Sequence, residues 1–367
     1  MRICFYNVTS SFIPGGLETY CWEMGRALAR RGHDVTLVAG NRDGAWHDEV
    51  RLVQFPFRVE QDWPDFGHRF QRLMERLSFA RHAVKHLLSS AYDAIVICKP
   101  YDFPVLWFAQ RRGLKTLTAY HAGGTDFYAG DRWFTGAVHR WIAVSEYTAS
   151  QQRGRYRRDV VVVHNGVDVG RFRPQESDPA LRARWNVPLD ARLVISVGRL
   201  VGLKGLRLIV SALPQLPRDV HYLVVGTGPE ESSLRTQAAS LGVVSRVHFA
   251  GRVEHAQLPL ALSQAELFVQ PSIGEEAFGI SVIEAMACGL PVLAARIGGL
   301  PEVITDNETG WLVAPGDAAA WTSALSEALA DPGRLSRTGR AALRQAEAEF
   351  TWSASAAKLE KILEGTR

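Results

Sequence analysis

"RLVISVGRLVGLKGL" (residues 192–206) opens with an apolar, largely β-branched run, breaks at Gly198, and continues into a glycine-punctuated segment that holds Arg199 and Lys204. A strand buried on both faces of a parallel sheet reads as such a continuous apolar run, and glycines mark the turn that leaves it. The same unit recurs downstream in "HYLVVG" (221–226), "RVHFAG" (246–251), "ELFVQPS" (266–272) and "PVLAA" (291–295). Upstream it appears in "RICFYNV" (2–8), "DVTLVAG" (34–40), "AIVIC" (94–98), "TLTAY" (116–120), "WIAVS" (141–145) and "VVVVH" (160–164). Helical patterns separate these strands, which predicts α/β structure in two doubly wound domains, each a parallel sheet covered on both faces. "HNGVDVGRFRPQESDP" (164–179) has turn dipeptides, charges and prolines without a hydrophobic period, and reads as the linker between them.

Composition agrees with two soluble domains. A chain of 367 residues is too long for one ordinary core. No apolar run approaches the roughly 18 residues a membrane span needs, and "MRICFYNVTS" reads as a first strand rather than a leader, so the chain is expected to stay in the cytoplasm. Cys4, Cys21, Cys98 and Cys288 lack metal-ligand spacing and lie among apolar neighbours, as buried free thiols do. Residues 1–170 carry a net charge of +5 and the remainder −1, with eight of the eleven histidines in the first part. That skew suits an N-terminal half that meets something anionic, but it is too weak to imply nucleic acid.

In doubly wound sheets ligands bind at the carboxyl ends of strands, so chemistry-bearing residues there are the candidates. Gly15 and Gly16 follow the first strand and open a helix, where backbone N–H groups can approach a phosphate; a tight β-to-α turn would read the same way. "GTGPEE" (226–231) breaks the dinucleotide fingerprint because Glu231 stands at its third glycine. Arg199 and Lys204 can converge on one anion such as a diphosphate, or can be surface charges. Glu276 falls in a loop after a strand, and Glu284 lies one turn inside the helix "FGISVIEAMA", whose first turn follows Gly279. Loop and helix carboxylates at those places can accept hydrogen bonds from sugar and ribose hydroxyls; a cap or surface charge is the alternative for each.

Together, "PGGLETY", "HNGVD" with "RFRP", "GRLVGLKG" and the E-x7-E pair in "EAFGISVIEAMACGLPVLAARIGGLPEVI" resemble glycosyltransferase family 4. The resemblance spans the chain, strongest over 192–315 and loose over 41–115. It implies a GT-B architecture of two Rossmann-like domains facing a central cleft: an acceptor domain over 1–170, a nucleotide-sugar domain over 171–349, and a helix over 350–367 that crosses back. The implied activity is retaining transfer of a hexose from a nucleotide-diphosphate sugar, UDP-sugar before GDP-mannose, to a glycan, lipid or lipid-linked hydroxyl in envelope polysaccharide or glycolipid assembly. Glu276 would bind the transferred sugar and Glu284 the ribose, while Arg199 and Lys204 grip the diphosphate with the amides of Phe278, Gly279 and Ile280. Gly15 and Gly16 would close over the diphosphate or acceptor, His121 would lie beside the reacting sugar, and the base would stack near Arg252 and Val253. No metal or other cofactor is implied, in keeping with the absence of a D-x-D pair after any strand. A nucleotide-sugar 2-epimerase or sugar phosphorylase would share the architecture, and a non-catalytic two-lobed sugar-binding protein is the reading from another class.

"HRFQRLMERLSFARHAVKHLL" (68–88) places Phe70, Leu73, Leu77, Ala80, Val84 and Leu87 on one helical stripe, with Arg69, Arg72, Arg76, Arg81 and Lys85 elsewhere. A basic amphipathic helix can lie on the anionic inner face of the plasma membrane, and a helix covering the sheet would look the same. Trp107, Phe108, Arg111, Arg112, Trp133, Phe134 and the arginines of "RGRYRR" (153–158) are further interfacial candidates.

Overall fold

The computed structural model describes residues 1–11, 15–42 and 49–365. It divides into two compact units, Met1–Asn165 with Trp352–Arg367, and Gly166–Thr351. Phe12–Pro14, part of the loop before Gly15, lie outside the described residues.

The first unit holds strands β1 (Arg2–Tyr6), β2 (Asp34–Gly40), β3 (Arg51–Phe55), β4 (Ala94–Ile97), β5 (Leu117–Ala122), β6 (Arg140–Ala143) and β7 (Val161–Val162). They pair in the order β3-β2-β1-β4-β5-β6-β7, and all pairs are parallel. Connecting helices are α1 (Gly16–Arg30), α2 (His68–Ser89), α3 (Phe103–Arg111) and α4 (Glu146–Tyr156). One apolar layer gathers Phe79, Ala83 and Leu87 of α2 with Phe103 and Leu106 of α3; the other gathers Tyr20, Met24 and Leu28 of α1.

The second unit holds β8 (Arg192–Val197), β9 (Val220–Val225), β10 (Val247–Gly251), β11 (Leu267–Gln270), β12 (Val292–Ala295) and β13 (Gly310–Val313), in the order β10-β9-β8-β11-β12-β13 and again all parallel. Its helices are α5 (Pro179–Arg184), α6 (Arg207–Ala212), α7 (Glu231–Ser240), α8 (Leu258–Leu262), α9 (Ile280–Ala287), α10 (Leu300–Val303), α11 (Ala318–Ala330) and α12 (Pro332–Glu349). The last helix, α13 (Trp352–Glu364), belongs to the first unit, where Trp352, Ala356, Leu359 and Leu363 join the α1 layer and Glu360 meets His33 at 2.8 Å.

Two strands have no counterpart in the apolar runs of the sequence. Both are sheet edges: β3 (RLVQF) is only partly buried along its length and Gln54 interrupts its apolar run, while β13 (GWLV) is a four-residue apolar run that buries only its ends. The stripe of α2 is also rotated from the expected one. Its buried residues are Gln71, Glu75, Arg76, Phe79, Ala80, Ala83 and Leu87, while Leu77 is exposed. Arg76 turns inward because the buried Asp102 accepts from its guanidinium, so a charge that a polar-face reading places outside lies in the core. The helix thus covers the sheet.

Candidate functional site

Each sheet reverses its strand order at one place, between β1 and β4 and between β8 and β11. Loops leaving the carboxyl ends of such strand pairs diverge and open a crevice. In the second unit these are the loop after β8, with Arg199 and Lys204, and the loop after β11, with Glu276.

Backbone contacts lace the two loops together. The N–H groups of Ile273 and Gly274 donate to the Leu203 carbonyl at 2.9 and 3.1 Å, and Gly205, at φ +63°, packs so closely on the Pro271 carbonyl that a Cβ there would overlap it. The lacing brings Lys204 Nζ to 2.6 Å from Glu276 Oε1, which also accepts from Gln270 Nε2 (2.8 Å) and Ser272 Oγ (2.6 Å). Three donors on one oxygen fix the carboxylate. Arg199 is exposed, and its side chain has no ion pair among the described residues. Ser196, Gly198, Arg199, Lys204 and Gln270 line a small cavity at this point. The glycines of "GTGPEE" serve the same crevice by steric means: a Cβ on Gly226 would strike the Gly198 carbonyl, and one on Gly228 the Leu200 carbonyl. They let the loop after β9 press against the loop after β8.

Glu284 is buried in α9, where His255 Nε2 lies 2.6 Å from its Oε1. The ring of Phe172 stands 5.2 Å from that of His255. His255 carries no signal in the sequence: it lies 29 residues before Glu284, and only the packing of α8 and α9 brings them together. Gly279 precedes α9 at φ +103°, where a Cβ would meet Leu300, and the amides of Gly279 and Ile280 have no carbonyl a turn earlier to bond. Phe278 is buried edge-on against Phe350 at 5.8 Å. Arg252 is 61% exposed and pairs with Glu254 at 3.2 Å; Val253 beside it is half-buried. His248, in the same stretch, faces away from this role, since its ring is buried 2.9 Å from His221.

In the first unit, Gly15 precedes α1 in extended conformation, where a Cβ would meet the Glu18 carboxylate at 2.6 Å. Gly16 is exposed at the helix start. His121, on β5, is fully buried and stacked on Tyr20 with ring centroids 3.6 Å apart and planes within 7°. Neither of its ring nitrogens has a hydrogen-bond partner among the described residues. Burial pushes its pKa down to about 3, so the ring is neutral. Two orphaned nitrogens distinguish it from an ordinary core histidine whose polar atoms are paired.

The sequence profile described as "Glycosyltransferase Family 4" matches residues 14–171, and that described as "Glycosyl transferases group 1" matches residues 177–345. A GDP-mannose-dependent alpha-(1-6)-phosphatidylinositol monomannoside mannosyltransferase of Mycolicibacterium smegmatis is 30% identical over 98% of each chain. The chain belongs to glycosyltransferase family 4. A D-inositol 3-phosphate glycosyltransferase of Streptomyces avermitilis is 37% identical over 93% of this chain and 81% of its own. Among solved structures, sucrose-phosphate synthase of Thermosynechococcus elongatus superposes with a TM-score of 0.84 at 24% identity, covering 99% of this chain and 98% of that one. The two units are therefore the Rossmann-like domains of the GT-B architecture that the family resemblance implied.

Proposed function

We propose that this family 4 member is a retaining hexosyltransferase that binds its nucleotide-diphosphate sugar at the β8/β11 crevice. The observation that carries the reading is the Lys204–Glu276 pair beside an exposed Arg199, placed where strand order reverses. Lys204 and Arg199 take the diphosphate, helped by the amides of Gly279 and Ile280; Glu276 takes sugar hydroxyls; and Glu284 takes the ribose diol. The C1–O bond to the diphosphate breaks as the C1–O bond to the acceptor forms on the same face, and the acceptor's proton passes to the departing phosphate oxygen. Catalysis then rests on positioning and on stabilising leaving-group charge, without a metal.

The relatives' names shift the donor reading. One is GDP-mannose-dependent, which weighs against UDP-sugar as the first choice; GDP-mannose takes that place here. Both names include inositol carrying phosphate, as a lipid in one and free in the other, and we take a phosphorylated cyclic polyol as the acceptor class. The test is thermal unfolding with GDP, UDP, ADP and their hexoses, where a ligand at 100 times its Kd adds about 2.7 kcal/mol. NMR of the product formed in chelator follows. Donor configuration retained in a new glycoside supports the reading; an epimerised nucleotide sugar, an inverted product or no turnover overturns it.

A further inference from the structure

Of the two readings of α2, membrane contact or sheet cover, the helix takes the second: Phe79, Ala80, Ala83 and Leu87 lie in the sheet layer, and Arg76 is spent on Asp102. Of the "RGRYRR" arginines, Arg155 is tied to the buried Asp131 and Arg153 to Glu146. Another face of the same unit is built differently. The carboxyl-terminal half of α3 packs on the 3-10 turn that runs from Asp131 to Ala137, with Trp107 edge-on to Phe134 at 5.5 Å and Gln110 Nε2 donating to the Ala137 carbonyl at 3.1 Å. Beyond this joint two rings stand in solvent, Trp133 at 83% exposure and Phe108 at 42%. Around them Arg111 lies over the Trp107 ring at 4.0 Å and Arg112 over the Phe108 ring at 4.4 Å, and Arg132 and Lys115 are exposed alongside in sequence.

Two features make this more than a stray tryptophan. The turn that presents Trp133 is clamped from below: the Asp131 carboxylate accepts from the Arg155 guanidinium (2.6 Å), the Tyr156 hydroxyl (2.7 Å) and the Tyr128 amide (3.3 Å). The ring is therefore held out by a rigid support. The charge is also one-sided. Between Phe103 and Ser145 the only carboxylates are Asp131, buried in that clamp, and Asp126, paired with Lys99.

We propose that the face formed by α3 and this turn docks on an anionic lipid surface, with Trp133 and Phe108 entering the headgroup region and Arg111, Arg112, Arg132 and Lys115 meeting lipid phosphates. Amphipathic rings settle at the boundary between water and hydrocarbon, and clustered arginines are drawn to the negative potential there. A second copy of the chain is the poorer occupant, because a two-fold contact would set the arginine cluster against itself. The site is independent of the acceptor assignment, since docking requires neither donor nor acceptor.

Co-sedimentation of the full chain tests it, with vesicles of phosphatidylcholine alone and of phosphatidylcholine mixed with phosphatidylglycerol. Binding is expected only to the mixed vesicles and weakens with salt. Arg111→Gln, Arg112→Gln and Arg132→Gln together lower the partition coefficient by roughly 100-fold, at about fivefold per arginine. Trp133→Ala lowers it while leaving thermal unfolding and transfer to a water-soluble acceptor unchanged. Brominated lipid quenches the wild-type tryptophan emission more than that of Trp133→Phe. The proposal is overturned by no binding to mixed vesicles, by binding that survives these changes but is lost in Arg69→Gln with Arg72→Gln, or by lipid-free self-association that Trp133→Ala abolishes.

Discussion

The β1/β4 and β8/β11 crevices are built on one topology and filled in opposite ways. At β8/β11 the Lys204–Glu276 pair stays accessible, at 25% and 13% exposure, with Arg199 exposed beside it. At β1/β4 the corresponding pair is Arg76–Asp102, at 5% and 0%, and Arg76 also donates to Asn7 Oδ1 at 3.0 Å. Burial pushes the Asp102 carboxyl up, against the lowering pull of Arg76. Strand order decides where a crevice can form, and side-chain burial decides whether its charges serve a ligand or brace the sheet. Asn7 and Asp102 leave the first and fourth strands where a ligand would enter, yet α2 lays Arg76 across them.

The largest effect expected from breaking this contrast is at the closed pair. Asp102→Ala leaves a guanidinium buried without its partner, at a cost of about 3–5 kcal/mol. Denaturant unfolding should show that loss; a change below about 1 kcal/mol would mean that the pair is not the brace described here. Lys204→Ala at the open pair should do the reverse, keeping stability within about 1 kcal/mol while kcat/KM falls roughly 10²- to 10³-fold, the usual consequence of removing one preorganised charge partner. Equal losses of stability in the two variants would erase the distinction between site and brace.

The sequence alone carries most of this fold because parallel strands buried on both faces announce themselves as apolar runs, and it places Arg199, Lys204 and Glu276 because each follows such a run directly. It misses β3, where Gln54 interrupts the apolar run on a partly exposed sheet edge, and β13, a run of only four residues at the other sheet's edge. It misplaces the stripe of α2, because hydrophobic periodicity has no means of foreseeing that an arginine will find an aspartate from another element in the core. His255 is invisible for a similar reason: its partner Glu284 is legible, but the contact depends on how α8 meets α9.

Acidification offers a milder way to sharpen the comparison. His121 has a folded pKa of about 3 against an ordinary 6.5, lowered by burial. Above pH 6.5 neither state holds the proton; below it the unfolded chain takes one up and the native ring does not, so stability falls as pH drops from 6.5 towards 3. The slope is about 1.4 kcal/mol per pH unit, or roughly 2 kcal/mol by pH 5 from this residue. His248 in the second unit, lowered to about 4 by burial and by His221, adds to the same trend. His121→Phe, which keeps a ring against Tyr20, should remove the first contribution and flatten unfolding free energy plotted between pH 5 and 7. An unchanged slope would show that His121 protonates in place or escapes its burial.

The smallest effect belongs to Glu284, whose proposed work is to hold a ribose rather than to meet the reacting atoms. Glu284→Gln preserves shape and one carbonyl oxygen but replaces a charged acceptor by a neutral one, a difference of about 1.4 kcal/mol for a hydrogen bond to a charged group, or tenfold in nucleotide affinity. The partner on the protein side separates binding from support. His255 lies 2.6 Å from Glu284 Oε1 and is itself only partly buried, so His255→Ala should release the carboxylate without removing it. If His255 positions Glu284, that variant weakens nucleoside diphosphate binding less than Glu284→Gln does, and the double variant is no worse than Glu284→Gln alone. Calorimetric titration of the nucleotide in all three variants reads this directly. Additive losses would make His255 a separate contact with the nucleotide, and unchanged affinity in Glu284→Gln would remove the ribose from this end of α9.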